Sequence, residues 1–170
     1  MSELVTTRVE TRGEAGRVAY VTVNNPGERN ALGRRGKEAL ICAFRDLASD
    51  DALRVAVLTG AGDRSFIAGA NINEMPEADI QDAEDISTKT HLACYAIRRL
   101  PVPVIGRVNG YCLGAGMELA ASCDIIVASE QAVFGCPEID LGLLGGASHL
   151  GRLIGRHRMR ELYFTARRVP

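Results

Sequence analysis

The chain has 170 residues, 46% hydrophobic and 24% charged, the balance of one globular domain with enough apolar sequence for a sizeable core. Its 20 basic residues offset 21 acidic ones to a net charge of -1, and it has no tryptophan, so neither a basic footprint nor an obvious base-stacking surface points to nucleic acid. The most apolar region, Val102 to Ala128, is interrupted by Arg107, Glu118 and Asp124, which marks protein core and not a membrane span.

Met1-Ser2-Glu3-Leu4 lacks the charged start and apolar core of a signal peptide. The cysteines, Cys42, Cys94, Cys112, Cys123 and Cys136, lie in apolar segments without a CxxC pair or zinc spacing. They read as buried thiols of a reducing compartment, so a cytoplasmic location is expected and no metal is assigned.

In chain order, Leu4 to Glu10 and the β-branched run Arg17 to Val23, separated by Gly13 and Gly16, predict a hairpin. Asn24-Asn25-Pro26-Gly27 breaks the second strand. From about Gly36 to Ser49, Leu40, Phe44 and Leu47 recur at helical spacing, predicting an amphipathic helix with Arg and Lys on its other side. Arg54 to Thr59 is short and apolar enough for a strand buried on both faces, closed by Gly60-Ala61-Gly62. A long helix is expected over roughly Asp79 to Leu100, with Ile86, Ala93, Ile97 and Leu100 on one face and Pro101 and Pro103 ending it.

Val104 to Asn109 is a third buried strand, leading into Gly114-Ala115-Gly116 and a helix that carries Glu118. Short strands at Asp124 to Ala128 and Ala132 to Phe134 precede Glu138, and the remainder from about Ala147 is helical and basic. Strand, glycine turn and helix thus repeat at Val55 to Gly62 and at Val104 to Gly116. That alternation argues for an α/β fold with mainly parallel pairing and a ligand near the carboxyl ends of the strands.

Glu118 lies among Leu113, Met117, Leu119, Ala120 and Ala121, where a carboxylate needs a partner, a solvated face or a chemical task. A helix opening near Ala115 leaves backbone N–H groups unpaired, and the small residues beside them let a ligand oxygen approach. The plainer reading makes Glu118 a first-turn helix acid and Glu138 a solvated loop residue. Nucleotide motifs fail: a dinucleotide fingerprint needs glycine where Ser65 stands and glycine or alanine where Leu119 stands, and no GxxxxGK[ST] occurs. His149 has no motif support as an acid or base, and His91 reads as structural. The basic run Arg152, Arg156, His157, Arg158, Arg160 reads as a solvated helix face or a subunit contact.

Several segments stand together in one order: Asn25-Pro26-Gly27-Glu28-Arg29-Asn30-Ala31-Leu32; Leu58-Thr59-Gly60-Ala61-Gly62 with Phe66-Ile67-Ala68-Gly69-Ala70; Pro103-Val104-Ile105 with Asn109-Gly110-Tyr111; and Phe134-Gly135-Cys136-Pro137-Glu138. Nearly the whole chain in this way resembles the crotonase, or enoyl-CoA hydratase/isomerase, superfamily. The resemblance implies a crotonase-like spiral of ββα units, binding of acyl-CoA thioesters, and assembly as a homotrimer or dimer of trimers. It carries over an oxyanion hole to the backbone N–H groups of Ala70 and Ala115 and the two hydratase glutamates to Glu118 and Glu138. It borders the CoA moiety with Glu28, Arg29, Ala31, Ala68, Gly69, Asn71, Ile72 and Gly114. Coenzyme A belongs to the substrate, and no separate cofactor is implied.

The activity the resemblance implies is enoyl-CoA hydration, with isomerase, acyl-CoA hydrolase or a non-catalytic acyl-CoA-binding subunit as alternatives. Asn71 stands where the family often has aspartate, Ala115 replaces a glycine, and Gly145-Gly146-Ala147-Ser148-His149 replaces a commoner Gly-Gly-Thr-Gln run. The chain reads as a single domain, residues 1–170, ending before the C-terminal helices with which family members cap the site.

Overall fold

A computed structural model describes residues 3–74 and 80–170. Strands β1 (Val5–Thr11) and β2 (Arg17–Val23) form the expected antiparallel hairpin, with Thr11 opposite Arg17. Alternation along β2 puts Ala19, Val21 and Val23 wholly inside. Helix α1 (Arg34–Leu47) follows and buries Leu40, Ile41, Phe44 and Leu47.

From there the chain winds in repeated turns of two strands and a helix. The first contains β3 (Leu53–Gly60), β4 (Ser65–Ile67) and α2 (Ile80–Arg98). The second contains β5 (Val104–Val108), β6 (Tyr111–Leu113) and the short α3 (Ala115–Ala120). The third contains β7 (Ile125–Ala128), β8 (Val133–Gly135) and α4 (Ala147–Thr165), kinked at Gly155. The expected start of the long helix at Asp79 lies outside the described residues.

Each turn gives its first strand to one sheet and its second strand to another. The larger sheet has the order β1-β2-β3-β5-β7 and is parallel from β2 onward. The smaller has the order β4-β6-β8 and is parallel throughout. Asn30 and Asn109 fasten the loop between the sheets: Asn30 Nδ2 donates to the carbonyls of Ala61 and Ser65, and Asn109 Nδ2 to those of Gly60 and Gly62. Phe44, Phe66, Leu32, Leu40 and Leu58 fill the shared core, each worth about 1.5–3 kcal/mol of burial. No helix among the described residues is long and apolar enough to cross a membrane.

The structure corrects several expectations. Strands β4 and β6 are absent from the sequence reading: each has three residues and is enclosed by glycines, Gly62 and Gly69 or Gly110 and Gly114, so its segment reads as part of a turn. Strand β3 is not fully buried on both faces: Ala56 and Leu58 are buried on one, but Arg54 at its start is exposed, and Val55 and Val57 on the other are half-buried. Cys42 is exposed, lying one position beyond Ile41 and off the apolar stripe of α1. Lys37, expected on the solvent side of α1, is buried, because positions 37, 40/41 and 44 share one helix face. The basic run on α4 is exposed, as its solvated-face reading requires.

Candidate active site

The two turns that follow β4 and β6 lie side by side. Gly69 and Gly114 both have positive φ, 111° and 52°, which glycine adopts without the Cβ penalty. A side chain on Gly114 would come 3.8 Å from Gly69 Cα. Backbone pairing then selects which amides stay open. Ala68 N–H donates to Arg29, Leu32 N–H to Gly69, Asn71 N–H to Leu32, and Gly114 N–H to Gly135. The N–H groups of Ala70 and of Ala115, the first residue of α3, have no protein acceptor among the described residues. Both residues line a cavity of about 600 Å³.

The acids reach that cavity from different elements. Glu118 projects from α3, and Glu138 from the 3-10 turn Pro137–Leu141. Gly145 and Gly146, just before α4, form the saddle against which both rest. A Cβ on Gly145 would lie 2.4 Å from Glu138 Oε1, and one on Gly146 would lie 2.1 Å from Glu118 Cδ. Glu138 Oε1 is also 3.1 Å from where a Gly114 Cβ would stand, so Glu138 touches the turn that presents the Ala115 amide. Tyr163 of α4 anchors the saddle, its hydroxyl accepting from Gly145 N–H at 2.9 Å.

Burial raises the Glu118 carboxyl above its ordinary value, and the nearby charge of Glu138 raises it further. A hydrogen bond from the Gly146 backbone and the Lys37 charge oppose those effects. Glu138 is also raised by burial, and its Oε2 is buried without a hydrogen-bond partner. Two acids with a preference for holding protons face one volume, an arrangement suited to proton transfer.

Among the residues singled out in the sequence, Ala68, Gly69, Ala70, Ile72, Gly114, Ala115, Glu118 and Glu138 line this cavity. Glu28, Ala31 and Asn71 line a separate cavity of about 120 Å³, and Arg29 is exposed outside both. Glu28 accepts hydrogen bonds from the side chains of Asn25 and Asn71, so part of that motif braces the loop.

Sequence reasoning underrated three residues. Lys37 and His91 line the large cavity, as does His149. Lys37 was legible as a cation on the apolar stripe of α1. His149 is separated from Glu118 by 31 positions, and only the return of α4 unites them. Donor atoms of Cys94, Glu118 and His149 lie within 4.8 Å of one another, a type of donor set that zinc accepts. Burial nevertheless pushes the Cys94 thiol up to about 11, so it packs behind the acid as a neutral group. Burial lowers His149, and the charges of Arg98 and Arg152 lower it further.

Residues 13–170 match the family model described as Enoyl-CoA hydratase/isomerase. The chain belongs to this family. A short-chain-enoyl-CoA hydratase of Clostridium acetobutylicum is 38% identical over 157 residues, covering 91% of this chain and 60% of the relative. A (7aS)-7a-methyl-1,5-dioxo-2,3,5,6,7,7a-hexahydro-1H-indene-carboxyl-CoA hydrolase of Rhodococcus jostii is 42% identical over 153 residues, covering 89% and 58%. The solved enoyl-CoA hydratase of Mycobacterium smegmatis superposes with a TM-score of 0.91 at 35% identity, over 99% of this chain and 65% of that one. The chain therefore spans about three fifths of the length of these curated relatives. The interleaved sheets are the crotonase-like fold expected of an enoyl-CoA hydratase/isomerase, a family whose members named here include both a hydratase and a hydrolase.

Proposed function

We propose that the protein adds water across the double bond of a trans-2-enoyl-CoA thioester to give 3-hydroxyacyl-CoA. The observation that carries this reading is the convergence of the open Ala70 and Ala115 amides with Glu118 and Glu138 on one cavity. The thioester carbonyl accepts hydrogen bonds from both amides. As water attacks the β-carbon, electron density moves onto the thioester oxygen as an enolate, where fixed donors act most strongly. One such donor is worth about 3 to 4 kcal/mol in other enzymes.

Glu118 and Glu138 hold the attacking water, with at least one carboxylate oxygen at roughly 3 Å in the productive complex. The water oxygen bonds to the β-carbon and yields a proton to the carboxylate pair. Glu138 then delivers a proton to the α-carbon, the enolate collapses to the thioester, and atoms balance without redox change. No metal or separate cofactor takes part. Ala68, Gly69, Ile72 and Gly114 flank the thioester arm. Glu28, Ala31 and Asn71 border the nucleotide end, and Arg29 donates to a CoA phosphate. Assembly of copies as a trimer or dimer of trimers would cover Leu144 and Phe164, which are 94% and 65% exposed.

A second reading, hydrolysis of an acyl-CoA, is favoured by the 42% identity to the Rhodococcus jostii hydrolase. One assay separates the two. Incubation with a short trans-2-enoyl-CoA in heavy-oxygen water yields labelled 3-hydroxyacyl-CoA if the protein is a hydratase. Release of free CoA thiol from that or a saturated acyl-CoA instead selects hydrolysis. Tight binding with neither product leaves a non-catalytic acyl-CoA-binding subunit.

A further inference from the structure

We propose that the acyl group taken into this cavity ends in a carboxylate remote from the thioester, and that the Lys37 ammonium receives it. The inference rests on the acyl-CoA reading for the thioester end and adds the chemistry of the opposite end.

Lys37 is only 2% exposed, yet it lines the cavity wall. An ammonium has three hydrogens to donate. Among the described residues, Lys37 Nζ donates to one acceptor, the carbonyl of Ile86 at 3.3 Å, and it takes part in no ion pair. Lys89 on α2 shows the contrast: it is held by Asp85 at 2.5 Å and Glu38 at 3.2 Å. A buried cation with one long hydrogen bond is costly, and an apolar side chain on the same stripe would serve α1 better.

The cavity that Lys37 lines is mixed, with apolar Ile86, Leu143 and Leu144 to take methylenes and polar groups to take an anionic end. Helix α2 turns Ser87 and His91 toward the cavity, and α4 adds Ser148 and His149. An alkyl tail would strip water from these groups and return no hydrogen bond. A carboxylate would take charge-assisted hydrogen bonds from Lys37 and accept from the hydroxyls. Burial lowers Lys37, and Glu118 is the largest of the charges that oppose this, but the two form no ion pair, and Glu118 is itself raised by burial and by the repulsive charge of Glu138. Lys37 as a mere counter-charge for Glu118 is therefore the outcome the experiment must separate.

The test uses saturated thioesters with no double bond to hydrate. Binding of succinyl-, glutaryl- and adipyl-CoA is compared by calorimetry with butyryl-, valeryl- and hexanoyl-CoA, on wild type, Lys37→Met and Lys37→Gln. At the best-fitting length the carboxylate ligand binds wild type roughly tenfold or more tighter than its methyl-ended counterpart. In both variants that ratio falls toward one. Equal or weaker binding of the carboxylate series by wild type at every length overturns the proposal without reference to variant folding. A preference that survives both substitutions overturns it too. A wild type that hydrates simple enoyl-CoAs but shows no carboxylate preference keeps the hydratase reading and loses this one. Failure to bind either series removes both.

Discussion

Gly146 lies so close to Glu118 that a methyl group added to it would fall 2.1 Å from the Glu118 carboxyl carbon. Gly146 has φ -76°, so its requirement is for space and not for an unusual backbone. Gly146→Ala should therefore displace Glu118 while α4 still forms. Turnover should fall about a hundredfold, the usual cost of misplacing a reacting group by about 1 Å. Steady-state kinetics with a thermal melt that stays cooperative would check this, and full activity would contradict the packing.

Glu138→Gln and Glu118→Gln should each lower hydration by about 10² to 10⁴ while acyl-CoA binding persists. Glu138→Gln should suppress α-proton exchange with solvent more strongly, because Glu138 is assigned that transfer. Deuterium incorporation followed by NMR measures it, and an unimpaired Glu138→Gln would remove the mechanism.

Ala115 tests the backbone amide. Proline is well tolerated at the first position of a helix, which is the place Ala115 occupies in α3. Ala115→Pro deletes the N–H and should lower turnover by about 10² to 10³, whereas Ala115→Gly keeps the donor and should be mild. Similar losses in both would argue for a packing effect.

Both carboxyls are raised by burial above the ordinary value of 4.5. The acid limb of the kcat/KM profile should accordingly lie above pH 4.5. The same shift fixes the sign of a stability effect. Between 4.5 and the raised native values the folded protein binds more protons than the unfolded chain, so stability falls as pH rises through that window. Urea midpoints across pH should show this decline, and it should shrink in the Glu118→Gln, Glu138→Gln double variant.

The sequence made the frame legible where patterns were long: the β2 alternation, the α1 and α2 apolar stripes, and the prolines after α2 all correspond to observed elements. It also carried the acids and the small-residue turns, since a glutamate in apolar sequence after Gly114-Ala115-Gly116 stands out locally. The short strands β4 and β6 were not legible, because their pairing depends on distant turns. Nor was the Gly145-Gly146 saddle, whose meaning comes from side chains 7 and 28 positions earlier, Glu138 and Glu118. Lys37 was misplaced for a different reason: charge was read as solvent exposure, although its spacing from Ile41 and Phe44 already put it on the inner stripe.

The winding order of the two sheets has a consequence for when the molecule becomes competent. Strands of the smaller sheet alternate along the chain with those of the larger, so both grow together and the smaller is completed last, by β8. A nascent chain emerging through α3 already carries Ala70, Ala115 and Glu118, but Glu138 and the glycine pair that seats both acids come later. On the mechanism proposed here, the capacity to grasp a thioester is encoded upstream of the capacity to transform it.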